Sequence, residues 1–214
     1  MCGFTRPEDV RAAVDAGADA LGFVLTPSPR RVSPSLARAL VRDVPPHILR
    51  VGVFVDEVTA EIANAAAAAD LDRVQVHRAD DPMLRDLFGT RLLVAFRARD
   101  DDVLDAIRDH GADTFLLDTY SPDLPGGTGR TFDWSLALRA RDLGRLVLAG
   151  GLTPENVGRA VREIRPFGVD VSSGIEDAPG SKNAEAMRAF VRAVRDADRE
   201  LDGSMAPERG RRAR

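Results

Sequence analysis

The sequence predicts an α/β protein, a single (β/α)8 TIM barrel whose first strand reads as truncated. Three observations point there. Apolar runs of strand length alternate with helix-period segments over almost the whole chain. The runs are rich in Val, Leu and Phe without polar alternation, the pattern of parallel strands buried on both faces. Finally, Asp15-Ala16-Gly17-Ala18-Asp19, before the first complete strand, is echoed four units later by Asp109-His110-Gly111-Ala112-Asp113, as two related half-barrels would give. Alternation alone fits a barrel or a doubly wound sheet; the echo favours the barrel.

Taken in order, a first strand belongs before Cys2-Gly3-Phe4-Thr5, yet only Met1 stands there. That reads as a start assigned too far downstream, or as a stub strand. Thr5-Arg6-Pro7-Glu8 has the form of a capping box, and Gly17 sits where the first helix should end. Strands are expected at Ala20–Leu25, Arg50–Val55, Arg73–Val76, Leu92–Phe96, Thr114–Leu117, Leu146–Ala149 and Val169–Val171. Helices between them include Glu57–Ala69, Asp101–His110, with Gly111 at its end, and Pro154–Ile164. Ser33-Pro34 and Thr153-Pro154 each place a cap before a proline at the first helical position. The domain is expected to span 1–199. From Asp198 the periodicity fades, and 200–214, ending in Arg211-Arg212-Ala213-Arg214, reads as a disordered tail.

Composition narrows the function. A chain of 214 residues suits one domain, somewhat below the roughly 250 typical of such barrels. The net charge is −4 with both signs interspersed, so no basic stripe points to nucleic acid. No apolar run approaches the ~20 residues of a membrane span, and the start lacks a signal-peptide pattern. Cys2 is the only cysteine, which excludes an internal disulfide and a cysteine-based zinc cluster. Together these point to a cytoplasmic protein, monomer or homodimer, acting on a small molecule. The three histidines show no ligand spacing, so no metal site is expected. Lys182 is the sole lysine, and Schiff-base chemistry would depend on it alone.

The site residues follow from position. Two glycine-bearing turns come after the last two strands: Ala149-Gly150-Gly151-Leu152 and Ser172-Ser173-Gly174. Barrels commonly hold phosphate there, because glycines let backbone N–H groups approach an anion. Tight strand-to-helix turns alone would also use glycine, but two such loops at the expected places favour a phosphorylated substrate. Asp118 ends a strand and faces the barrel mouth, ahead of a loop containing Gly126-Gly127-Thr128-Gly129 that can close over substrate. Cys2 lies before the first helix, whose N-terminus would favour the thiolate; an ordinary buried cysteine is the alternative. Arg30 or Arg31 can grip a carboxylate bidentately, with at least one of them expected to be a surface residue. His77 ends a strand, where it contacts substrate or satisfies a hydrogen bond of the rim.

As an ordered set these segments resemble the phosphoribosylanthranilate isomerase family over about residues 2–183. The resemblance runs through Cys2-Gly3-Phe4-Thr5, Gly22-Phe23-Val24, Ser28-Pro29-Arg30, Val51-Gly52-Val53-Phe54-Val55 and Val74-Gln75-Val76-His77. It continues through Leu117-Asp118, Gly126-Gly127-Thr128-Gly129 with Phe132-Asp133-Trp134, Leu148-Ala149-Gly150-Gly151-Leu152 with Asn156-Val157, and Val169-Asp170-Val171-Ser172-Ser173-Gly174 with Glu176, Gly180 and Lys182. It implies the Amadori rearrangement of N-(5′-phosphoribosyl)anthranilate in tryptophan biosynthesis, with no metal and no redox cofactor. Asp118 would be the general acid and Cys2 the general base. Arg30 would bind the anthranilate carboxylate, and His77, Gly127, Gly150, Gly151, Ser172, Ser173 and Gly174 would line the substrate site.

Three departures stand out. The family's short lysine-bearing strand before Cys-Gly is absent, Arg78 replaces a glycine, and Asn183 stands where aspartate is common. The competing readings are an isomerase of a related aminated ribose phosphate and a non-catalytic phosphosugar-binding barrel. The first would want an aspartate where Cys2 stands. A ring-closing synthase would want a catalytic lysine in the mouth, whereas Lys182 lies outside any expected strand.

Overall fold

The computed structural model describes residues 1–77, 81–119 and 134–204. Seven strands form: β1 (Ala20–Val24), β2 (Leu49–Phe54), β3 (Arg73–Val76), β4 (Leu92–Arg97), β5 (Thr114–Asp118), β6 (Arg145–Ala149) and β7 (Gly168–Val169); the last begins one residue early and ends at Val169, short of the expected Val171. They pair in chain order, every neighbouring pair parallel. In the first strand's place Met1 and Cys2 form a stub, with an isolated parallel bridge from Cys2 to Gly22. Gly22 N–H donates to the Met1 carbonyl at 2.8 Å and Gly3 N–H to that of Gly22 at 2.9 Å; on the other side Cys2 N–H donates to Val171 at 2.9 Å. The stub therefore joins β1 to the end of the β7 segment and closes the barrel.

Alternation along each strand separates two apolar layers. Ala95, Leu116 and Ala149, with Leu93 and Val147, pack together on the inner face. The intervening residues, among them Phe23, Phe54, Phe96, Phe115 and Leu148, join the main core beneath the helices. The inner layer mixes alanine with leucine and valine while the phenylalanines lie outside, which suits a barrel whose interior is narrower than its surrounding layer.

The helices are α1 (Pro7–Ala16), α2 (Pro34–Leu40), α3 (Thr59–Ala69), α4 (Pro82–Phe88), α5 (Asp102–His110), α6 (Ser135–Arg141), α7 (Val157–Ile164) and α8 (Ala184–Ser204). The echoed segments adopt the same geometry. Gly17 (φ 88°) and Gly111 (φ 66°) end α1 and α5 in the left-handed region that glycine enters without cost. The following Asp19 and Asp113 carbonyls each accept the amide that opens the next strand, from Leu49 at 2.9 Å and Arg145 at 2.7 Å. Ser33 caps α2 through Leu36 N–H at 3.1 Å.

Two caps differ from expectation. Arg6, not Thr5, is the N-cap of α1; the Thr5 hydroxyl instead donates to the Gly180 carbonyl at 2.6 Å. After Thr153-Pro154 the chain turns before α7 begins at Val157, because Asn156 Oδ1 accepts Thr153 N–H at 2.8 Å and its amide donates to Gly151. Lys182 also lies in a strand after all: β8 (Glu176–Ala178) and β9 (Ser181–Lys182) form a small antiparallel hairpin. The last helix, α8, runs to Ser204 and packs against α1 and α7; the rest of the expected tail, 205–214, lies outside the described residues. Among the described residues no helix is long and apolar enough to cross a membrane.

Candidate active site

Strand register carries the inner face up to the mouth. Asp118 lies two residues beyond Leu116 and so points inward with it; its strand neighbours are Arg97 on β4 and Ala149 on β6. His77 follows β3 on the same face as Gln75. Its Nδ1 is buried and has no hydrogen-bond partner among the described residues. Burial, and then Arg97, hold the His77 pKa below the usual imidazole range, against the pull of Asp118. The ring is thus neutral at pH 7 and can offer a hydrogen bond without a charge. A cavity beside these strand ends is lined by His77, Ala95, Arg97 and Asp100, among others.

The two glycine loops meet. Gly150 (φ 92°) and Gly151 (φ 64°) both take left-handed backbone as the chain leaves β6. Thr119 Oγ1 steadies that exit by donating to the Ala149 carbonyl at 2.8 Å. On the other loop, Ser173–Ile175 make a single 3-10 turn, whose first amides have no acceptor within the turn. Gly174 packs so closely on the first loop that a Cβ there would lie 2.0 Å from the Leu152 carbonyl oxygen. A Gly174→Ala variant should force the loops apart. An overpacking cost of about 1–3 kcal/mol corresponds to a thermal midpoint lower by roughly 2–10 °C, checked by calorimetry.

Cys2 and Arg30 converge on the seam where the stub closes the barrel. Gly22 lies on the inner face by register, and the Cys2 thiol packs against it: a Cβ on Gly22 would approach Sγ to 2.8 Å. Cys2 keeps some solvent contact, but burial of the thiol, and then Asp170, push its pKa up to about 12. The N-terminal amine, Lys182 and Arg30 pull the other way and do not prevail. The expected lowering by a helix N-terminus is absent because α1 starts only at Pro7. Arg30 crosses Gly3, whose φ of 89° and missing side chain admit it; a Cβ there would meet Arg30 Cδ at 2.6 Å and Ser172 Oγ at 3.2 Å.

The Arg30 guanidinium already has a protein partner, which the sequence reading did not foresee. Its Nε and one terminal nitrogen donate to Glu176, at 3.0 and 2.6 Å. Among the described residues the remaining N–H groups have no acceptor and are left for an anion. Thus Cys2, Arg30, His77, Asp118 and the loops at 150–151 and 172–174 all come to one end of the barrel. Gly127 and its loop lie outside the described residues, as does Arg78. The sequence reading missed Arg97, Asp170 and the role of Glu176. Arg97 and Asp170 could have been found by the strand-end rule that selected Asp118.

Comparison with known proteins places the chain in a family. The family model described as N-(5′-phosphoribosyl)anthranilate (PRA) isomerase matches residues 1–193. A curated N-(5′-phosphoribosyl)anthranilate isomerase from Pelobacter propionicus is 46% identical over 197 residues, 92% of this chain and 94% of the relative. Among solved structures, the phosphoribosyl anthranilate isomerase of Thermotoga maritima superposes with a TM-score of 0.82 at 40% identity, covering 92% of this chain and 97% of its own. A phosphoribosyl anthranilate isomerase in complex with reduced 1-(o-carboxyphenylamino)-1-deoxyribulose 5-phosphate gives 0.79 at 39% identity, covering 91% and 96%. By sequence and by fold, this chain belongs to the N-(5′-phosphoribosyl)anthranilate isomerase family.

Proposed function

We propose that this chain catalyses, in the cytoplasm, the Amadori rearrangement of N-(5′-phosphoribosyl)anthranilate to 1-(2-carboxyphenylamino)-1-deoxyribulose 5-phosphate, a step of tryptophan biosynthesis. The observation that carries the reading is the company Asp118 keeps. An inward carboxylate shares the barrel mouth with a lone inward thiol, between a clamped arginine and two touching glycine loops.

The substrate phosphate sits against Gly150, Gly151, Ser172, Ser173 and Gly174, and its anthranilate carboxylate on the open side of Arg30. His77 and Gly127 line the remainder. Asp118 delivers a proton to the ribose ring oxygen; the C1–O bond breaks and a protonated Schiff base forms at C1. Cys2 then removes the C2 proton, giving an enolamine that tautomerises to the ketone. One proton enters and one leaves, so the chemistry needs neither electrons nor a hydride acceptor.

The high pKa of Cys2 fits an ordered sequence. Before ring opening the thiol keeps its proton. The cation formed at C1 then favours the thiolate, because a nearby opposite charge lowers an acid's pKa. The thiol, which keeps some solvent contact, releases its own proton to water before taking that of C2. The same cation makes the C2 proton easier to remove.

A fluorescence assay tests the function. Phosphoribosylanthranilate is generated in situ and the loss of its anthranilate emission followed. Enzyme-dependent loss is expected; a folded protein that leaves the emission unchanged would exclude the activity.

A further inference from the structure

The chain's single lysine has no part in the chemistry above, yet its ammonium is fully enclosed. The Lys182 side chain is 0% exposed and that of its partner Glu176 is 3% exposed. Lys182 Nζ donates to Glu176 Oε1 at 2.8 Å, to the Ser172 carbonyl at 3.1 Å and to the Cys2 carbonyl. An ammonium has three protons, and all three are used. Glu176 is equally committed: Oε1 also accepts Gly180 N–H at 3.2 Å and Arg30 Nε at 3.0 Å, while Oε2 takes the Arg30 terminal nitrogen at 2.6 Å. Burial alone would push the Glu176 carboxyl up, but Arg30 and Lys182 hold it below the usual range.

The hub is anchored from outside the mouth. Asp9 Oδ2, on α1, accepts Lys182 N–H at 3.0 Å, and Thr5 holds the hairpin turn through the Gly180 carbonyl.

Stability is a weak reason for such a cluster, since taking two charges out of water costs about as much as their attraction returns. Orientation is a better one. A guanidinium recognises a carboxylate through a planar fork, so the direction of the fork decides whether both bonds form. With the Nε edge fixed to Glu176, the other side of Arg30 keeps one direction across the gap above Gly3. We propose that Glu176, itself held by Lys182, is a positioning residue that aims Arg30 at the carboxylate of an aromatic amine carried by the substrate. This rests on the reading of Arg30 as the carboxylate ligand.

The test compares two substrates, N-(5′-phosphoribosyl)anthranilate and its aniline counterpart without the carboxylate. The quantity read is the ratio of their kcat/KM values in wild type, Arg30→Met, Glu176→Gln and Glu176→Asp. The wild-type ratio should fall towards one in Arg30→Met. In Glu176→Gln it should fall by about tenfold or more, mainly through KM for the carboxylated substrate, with the aniline substrate changed by less than about threefold.

Should the glutamine variant fail to fold, Glu176→Asp retains the charge but is one methylene too short to hold both arginine nitrogens. It should show the same selective loss. A folded variant with the wild-type ratio, or with equal losses on both substrates, overturns the positioning role. A ratio unaffected by Arg30→Met instead removes Arg30 as the carboxylate ligand, an outcome distinct from the first.

Discussion

Asp118→Asn should lower kcat for phosphoribosylanthranilate by about 10²–10⁴-fold, the usual worth of a positioned acid, and leave the thermal midpoint within a few degrees of wild type. The asparagine keeps the shape of the side chain and its place opposite Arg97 and Ala149. What it lacks is a proton to give. The loss should therefore appear in the first-order step of a single-turnover experiment, with KM little changed. A variant retaining more than about a tenth of wild-type kcat would remove Asp118 from the ring-opening step.

Cys2→Ser should be comparably damaging, since a serine hydroxyl is a far weaker acid than a thiol and cannot serve as the base. Because Cys2 is the only cysteine, alkylation reports on this thiol alone. With its pKa near 12 against an ordinary ~8.5, the empty barrel at pH 8 should react with iodoacetamide about a thousandfold more slowly than a free thiol. Linkage gives the sign for stability. The unfolded thiol ionises first, so the contribution of Cys2 is intact below about pH 8.5. It is lost as pH rises towards 12. Fast alkylation at pH 8 would mean that the thiolate exists before substrate arrives, and the proposed order of events would be wrong.

Most of the barrel could be read from the sequence because each strand is a continuous apolar run, which a buried parallel strand requires. The stub could not. Two residues carry no periodicity, and Met1 and Cys2 count as a strand only through bonds to Gly22 and Val171. Local motifs misled where a distant partner competed for the same group. Thr5 would cap α1 in isolation, but the Gly180 carbonyl takes its proton. Asn156 engages the backbone of the preceding turn and so delays α7.

The same physics divides the site. Structural aspartates at strand ends are common, and Asp118 stood out because it closes an apolar run just ahead of a glycine-rich loop. Arg97, at the equivalent place on β4, was passed over because arginine at a strand end reads as a surface residue. Arg30 was read as a carboxylate ligand or a surface arginine, and the contact with Glu176, 146 residues away, was not foreseen. The thiol's environment was misread because α1 opens only at Pro7, five residues beyond Cys2.

The hydrogen bonds around Lys182 join the first and last elements of the barrel. Lys182 to Cys2 spans 180 positions, Thr5 to Gly180 spans 175, and Lys182 to Asp9 spans 173. Contacts this remote form late, since the loop-closure entropy of nearly the whole polypeptide must be met first. An intermediate comprising the central strands would hold Asp118 and the 150–151 loop in place, yet it would possess neither an aimed arginine nor a seated thiol. Turnover would thus report the final joining of head to tail, and a partly assembled chain would be silent rather than promiscuous.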